Sequence, residues 1–229
     1  MFCGPTTLLR VNALLAFGAA LLALRLAGAL AARARERRAP ELAAWSASLG
    51  TYALAAAALA WGEAHGWDGR AFRVYYLCGG LLTAPLLGVG SLAFAGRRWA
   101  PAVGLAYAGL AVGIAVAVPL HGAFGAAVPK AQSHLDFVPA RLLAVLGNSL
   151  GTVAVVAVAL ATIRTRPVGN VLILAGVSVA AAGTALGGLG AGGLALSIAA
   201  AAVLLFLGIT SWSPTFRAIR SLTPRHRLE

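Results

Sequence analysis

Charge is scarce in this chain: 10% of its 229 residues are Asp, Glu, Lys or Arg, where a soluble domain carries roughly a quarter. Only six of them are acidic, and Lys130 is the single lysine. Near the middle of the long apolar runs there is no Asp, Glu, Lys or His. That removes the equipment of a proton pump, of a carboxylate-relay carrier and of a charged ion pathway. Cysteine is nearly absent too: Cys3 and Cys78 stand far apart with no CxxC or other ligand spacing, so a disulfide scaffold is excluded. A bridge between the two demands that both thiols lie at one depth, and two idle thiols are the simpler expectation.

What fills the chain instead is apolar: 60% hydrophobic residues and a mean hydropathy of +0.88. Charges, prolines and glycine runs divide it into windows near 8–31, 41–62, 73–95, 99–120, 139–163, 167–187 and 191–212, each about the 20 residues a spanning helix needs. Backbone in hydrocarbon must satisfy its own hydrogen bonds, so runs of this length are helices. The expectation is an all-α, polytopic membrane protein: one seven-transmembrane-helix bundle over 1–229, with a basic tail at 213–229 and no separate soluble domain. The first window has no basic segment before it and contains Arg25, so it reads as a retained helix rather than a cleaved signal.

Direction follows from arginine. Alternate loops and the tail hold Arg33, Arg35, Arg37, Arg38, Arg97, Arg98, Arg164, Arg166, Arg217, Arg220, Arg225 and Arg227 against Glu36, Glu41 and Glu229. The opposite side holds Arg10, Arg70, Arg73, Lys130 and Arg141 against Glu63, Asp68 and Asp136. The positive-inside rule makes the arginine-rich side cytoplasmic, with the N-terminus outside and the C-terminus inside, in the cell's inner (plasma) membrane. Trp61 and Trp67 at outer ends, and Trp45, Trp99 and Trp212 at inner ends, suit interfacial belts. The net charge of +12 is therefore an orientation and lipid signal. Spread over several short loops, it offers no nucleic-acid face.

The third window, YYLCGGLLTAPLLGVGSLAF at 75–94, is the least ordinary. Pro85 near its middle removes the bond to the Leu81 carbonyl and kinks the helix, and Thr83 is placed to compensate locally. Gly79, Gly80, Gly88 and Gly90, with the GxxxG pairs Gly109/Gly113, Gly147/Gly151 and Gly183/Gly187, let helix backbones approach, which membrane helices need because lipid supplies no hydrophobic drive between them. Polar residues fall in the middle or outer half of the spans: Asn12, Tyr52, Tyr75, Tyr76, Thr83, Tyr107, Asn148, Thr152 and Ser197. They allow two readings. Each makes an interhelical bond, or Tyr52, Tyr75, Tyr76, Thr83, Tyr107, Asn148 and Thr152 line an outward-facing pocket for a neutral apolar or amphipathic molecule.

The outer rim gathers His65, His121, His134 and Asp136, together with Glu63 and Asp68. Imidazoles and carboxylates are ligands for zinc or another transition metal, and an imidazole pair serves haem iron. No HExxH-type spacing joins them, so solvated loop residues are the alternative. The run GGLGAGG at 187–193 lacks the lysine and the preceding strand of a phosphate loop and reads as a turn.

With seven helices, an outer N-terminus and the proline-centred LLTAPLL at 81–87, the chain resembles the microbial rhodopsins over about one helix. The resemblance implies a seven-helix fold. It transfers no site, because Gly79 stands where that family has its acidic counter-ion and span seven contains no lysine for retinal. Three functions are compatible with these residues: binding or carriage of a lipid-like small molecule, metal- or haem-dependent chemistry at the rim, and service as an accessory or structural membrane subunit through the GxxxG faces, with a partner or as a homo-oligomer. No cofactor is specified.

Overall fold

A computed structural model describes residues 5–125, 127–188 and 194–210, with side chains from residue 13 onward except 184–188, 194–195, 206, 209 and 210. The described residues form helices and loops without a strand. The long helices are α1 (Pro5–Arg37), α2 (Pro40–His65), α3 (Gly69–Phe94), α4 (Ala100–Ala117), α5 (Phe137–Ala161), α6 (Pro167–Gly188) and α7 (Leu194–Thr210). Five of them, α1 to α5, have described stretches long and apolar enough to cross a membrane; those of α6 and α7, Pro167–Gly183 and Leu196–Leu205, are apolar but shorter. Cys3, the side chains of Arg10 and Asn12, residues 189–193 of the expected 187–193 turn and the basic tail lie outside what is described, while the backbone of 187–188 ends α6.

Local chemistry sets the boundaries. Proline opens α2, where its missing N–H costs nothing. Gly66 at φ +88° and Gly96 at φ +83° supply the left-handed backbone that ends α2 and follows α3. The Asp68 side chain accepts the Ala71 N–H at 2.7 Å and caps the start of α3. Several boundaries differ by a few residues from the hydropathy windows, and two have a clear local cause. The first helix runs on to Arg37, because arginine is a good helix former and its stem reaches past the apolar stretch. The fourth stops at Ala117, because Val118 precedes Pro119 and is held extended at ψ 128°.

Packing joins α1 to α2, α2 to α3, α3 to α5, α5 to α6, α6 to α7 and α7 back to α1. Six helices thus close a ring, and α4 lies outside it against α3. Burial is lowest in α4, at 17% of its apolar window, and next lowest in α5, at 22%, against 44% for α2 and for α3. Close approach in the ring depends on glycine. A Cβ on Gly88 of α3 would stand 2.7 Å from the Gly151 Cα, and one on Gly151 would stand 2.8 Å from the Pro85 nitrogen, so α3 and α5 touch backbone to backbone.

The arginine-rich loops meet at one end. Trp45 at the start of α2 packs on Phe94 at 5.7 Å between ring centroids. The Arg166 guanidinium of the α5–α6 connection lies over the same Phe94 ring at 5.4 Å. Arg33, Arg35, Arg37, Arg38, Arg97, Arg98 and Arg164 are exposed around them.

Candidate functional site

The third helix is interrupted from Tyr76 to Leu82 by a π-helical segment, immediately before Pro85. A π turn takes an extra residue per hydrogen bond, and proline offers no N–H, so carbonyls at this junction lose intrahelical donors. Side chains of α4 and α5 replace them, and side chains of α2 and of α3 itself add bonds to neighbouring carbonyls. Tyr107 of α4 donates its hydroxyl to the Leu81 carbonyl at 2.9 Å. Asn148 of α5 donates its amide to the Gly80 carbonyl at 2.8 Å. Thr83 donates to the Cys78 carbonyl at 2.7 Å. Ser48 of α2, 1% exposed, donates to the Thr83 carbonyl at 2.7 Å, and Thr51 lies 3.2 Å from the Thr83 hydroxyl.

This outcome refines the expectation for Pro85. Thr83 bonds locally, but to the Cys78 carbonyl, which also accepts the Thr83 N–H; the Leu81 carbonyl that proline orphans is served from across the helix interface. Glycine makes room for the donor, since a Cβ on Gly147 would collide with the Tyr107 hydroxyl. Tyr52 donates to the Ile198 carbonyl of α7, and Tyr76 to the Ala140 carbonyl at 3.4 Å. Tyr75 packs edge-on against Trp67 at 5.3 Å. Thr152 is half-buried and joins none of these bonds. Of the seven residues expected to line a pocket, five thus direct their polar atoms at backbone carbonyls. Ser48 and Thr51 were not anticipated. Their signal was an S-x-x-T pair on one face of α2, the side that meets the bend.

Ahead of the bend a cleft of about 10 Å³ lies between the N-terminal half of α3, the end of α4 and the connection to α5. Phe72, Arg73, Tyr76, Leu81, Leu120, Leu135 and Ala140 are among its lining residues. Such a space holds about one water molecule. Arg73 donates to the carbonyls of Ala115 and Val116, the last turn of α4, where a cation complements the helix dipole.

The connection that covers this cleft is fastened by His134. Its ring is 7% exposed, stacks on Phe124 at 4.4 Å and tilts against Phe72 at 5.3 Å. Its Nδ1 lies 2.7 Å from the His121 carbonyl, and the His121 N–H donates back to the His134 carbonyl at 3.0 Å. A carbonyl can only accept, so Nδ1 carries the hydrogen. His121 in turn pairs with Asp136 at 3.3 Å, while His65 stacks on Trp61 at 4.3 Å. The structure therefore brings His121, His134 and Asp136 together and gives His65 to a tryptophan. Among the described residues no group of three His, Cys, Asp or Glu is arranged to hold a metal ion.

Two buried atoms nearby have no hydrogen-bond partner among the described residues, Glu63 Oε2 and Trp67 Nε1. The Trp67 ring covers Gly62, where a Cβ would clash with it. No protein family, no curated protein and no solved structure matches this chain. Any functional reading rests on the geometry alone.

Proposed function

We propose that this is a multi-pass protein of the inner (plasma) membrane that crosses seven times, with the N-terminus outside and the arginine-rich end in the cytoplasm. In this reading it serves as a structural or accessory subunit and associates with a second copy of itself through α4. The exposed outer face of α4 carries it. Gly104, Tyr107, Ala108, Ala111 and Ala115 face α3 and the start of α5. On the opposite side Ala102, Ala106, Gly109, Gly113 and Ala117 form an exposed stripe at helical spacing. A Cβ added to Gly109 or Gly113 would meet nothing within 4 Å. Leu105, Leu110 and Val116 flank the stripe at 76%, 54% and 74% exposure. Against lipid such a groove gains nothing, whereas against a helix it permits the close backbone approach on which membrane association depends. Two identical grooves are self-complementary about a two-fold axis.

The basic end supports the orientation. Among the described residues it carries Arg33, Arg35, Arg37, Arg38, Arg97, Arg98, Arg164 and Arg166 against Glu36 and Glu41 alone. The polar residues of the bundle support a structural role over carriage of a small molecule, because they serve the bent backbone. The test is disulfide cross-linking in native membranes of Ala106→Cys in a background with both native cysteines replaced by serine. A covalent dimer that disappears with Gly109→Leu supports the reading. A monomer under all conditions refutes it, and a cross-link to a different protein replaces the second copy by a hetero-partner.

A further inference from the structure

Among the described residues, none of the arginines at the outer end of the bundle is paired with a carboxylate, and two of them, Arg73 and Arg141, adjoin one cleft. Among the described residues, the acids on this side are committed elsewhere: Asp68 caps α3 and Asp136 pairs with His121. Glu63 keeps one oxygen buried beside Trp67 rather than in an ion pair. Arg73 lines the cleft and reaches the last carbonyls of α4. Arg141 lies over the Phe137 ring at 5.4 Å. It follows Ala140, which lines the same cleft and whose carbonyl accepts from Tyr76. Arg73 and Tyr76 line the cleft together, and Arg141 is near enough to Tyr76 to act on it electrostatically.

A guanidinium has five N–H donors in a planar fork. Those of Arg73 are only partly used by two carbonyls, and a cation–π contact uses none of Arg141's. Beside them the surface is apolar and exposed: Val116 at 74%, Phe137 at 54% and Val138 at 62%. A pair of uncompensated arginines next to an exposed aromatic and aliphatic patch, at the end of three helices of spanning length, fits a molecule with a phosphate head and a hydrocarbon tail.

We infer that Arg73 and Arg141 bind the phosphate of an anionic phospholipid of the outer leaflet, whose chain lies along Val116, Phe137 and Val138. The cleft beneath, lined by Arg73 and Tyr76, receives one phosphate oxygen or its water. The inference rests on the membrane reading above; it shares Val116 with the rim of the α4 face but uses none of the small-residue stripe, so loss of the α4 dimer would leave it standing. This end carries Arg70, Arg73, Lys130 and Arg141 against three acids among the described residues, so a general basic field does not explain retention here as it does at the other end.

The full-length protein is placed in nanodiscs of equal phosphatidylglycerol and phosphatidylcholine, released gently and examined by native mass spectrometry. The wild type should retain one phosphatidylglycerol that Arg141→Gln holds about fivefold less well, while Arg98→Gln at the opposite end leaves that lipid in place. Arg141→Gln is the primary variant, because Arg73 also holds the end of α4. Val138→Asn, a neutral change on the tail's path, should weaken retention without altering the charge around either arginine. Inorganic phosphate added alone separates the sources. Displacement of the lipid at millimolar phosphate would assign the arginines to a free phosphate-bearing anion and overturn the lipid. Equal retention of the two lipids, or equal retention by wild type and Arg141→Gln, would overturn the site itself.

Discussion

Replacing Tyr107 by phenylalanine removes one oxygen and tests whether the bend in α3 is braced from outside. The Leu81 carbonyl cannot receive the N–H four residues on, because that residue is Pro85, and Leu81 itself is fully buried. Its donor is the Tyr107 hydroxyl at 2.9 Å. Without it the carbonyl loses a partner that water cannot replace, at a cost of about 1–3 kcal/mol. An ordinary interhelical side-chain bond in a bilayer contributes about 0.6 kcal/mol, so the expected loss exceeds that of a simple contact. The control is Pro85→Ala, which restores the N–H. In that background Tyr107→Phe should cost about 0.6 kcal/mol or less, and the two changes should couple by about 1 kcal/mol. Reversible unfolding in mixed detergent micelles, followed by tryptophan fluorescence, measures all four corners of the cycle. Equal costs of Tyr107→Phe with and without Pro85 would refute the argument that proline creates the need for the hydroxyl.

Other expectations concern packing, burial and direction. Gly88→Ala puts a methyl 2.7 Å from the Gly151 Cα and should destabilise by about 1–3 kcal/mol in the same assay, since backbone cannot step aside as a side chain can. Trp67→Phe deletes an indole N–H that has no partner among the described residues and also part of a buried ring that covers Gly62; relief of the donor offsets the cavity, so stability should fall by less than about 1 kcal/mol, and a loss above about 3 kcal/mol would point to a bond with a group outside them. His134→Ala removes the stacked ring and its bond to the His121 carbonyl. Amide exchange over residues 120–135 should then accelerate while the helices keep their protection, and unchanged exchange would count against a fastening role. A phosphatase or fluorescent-protein reporter inserted in the 95–99 loop should report the cytoplasmic side.

Helices, their approximate limits and the grouping of arginines were legible because hydropathy, proline and charge act over the few residues on either side of a position. Windows near 41–62 and 73–95 lie within helices Pro40–His65 and, to a residue, Gly69–Phe94. The extension of α1 to Arg37 was not legible, since hydropathy reports the edge of an apolar stretch and not the end of a helix. Pro85 announced a defect in the third helix, and Thr83 was picked as a compensating group. The π segment ahead of it was hidden, because its sequence of leucine, cysteine and glycine carries no mark of a wider turn.

The primary structure by itself made this an apolar, helical chain with a flawed third helix and its arginines on alternate loops, because those are properties of neighbouring residues and of their transfer from water. Which carbonyl each polar side chain serves was decided only by tertiary structure. Tyr107 is 26 residues from Leu81, and Asn148 is 68 from Gly80, and at such separations only the packing of one helix on another selects the partner. The same packing turned one face of α4 inward and left its small-residue stripe uncovered.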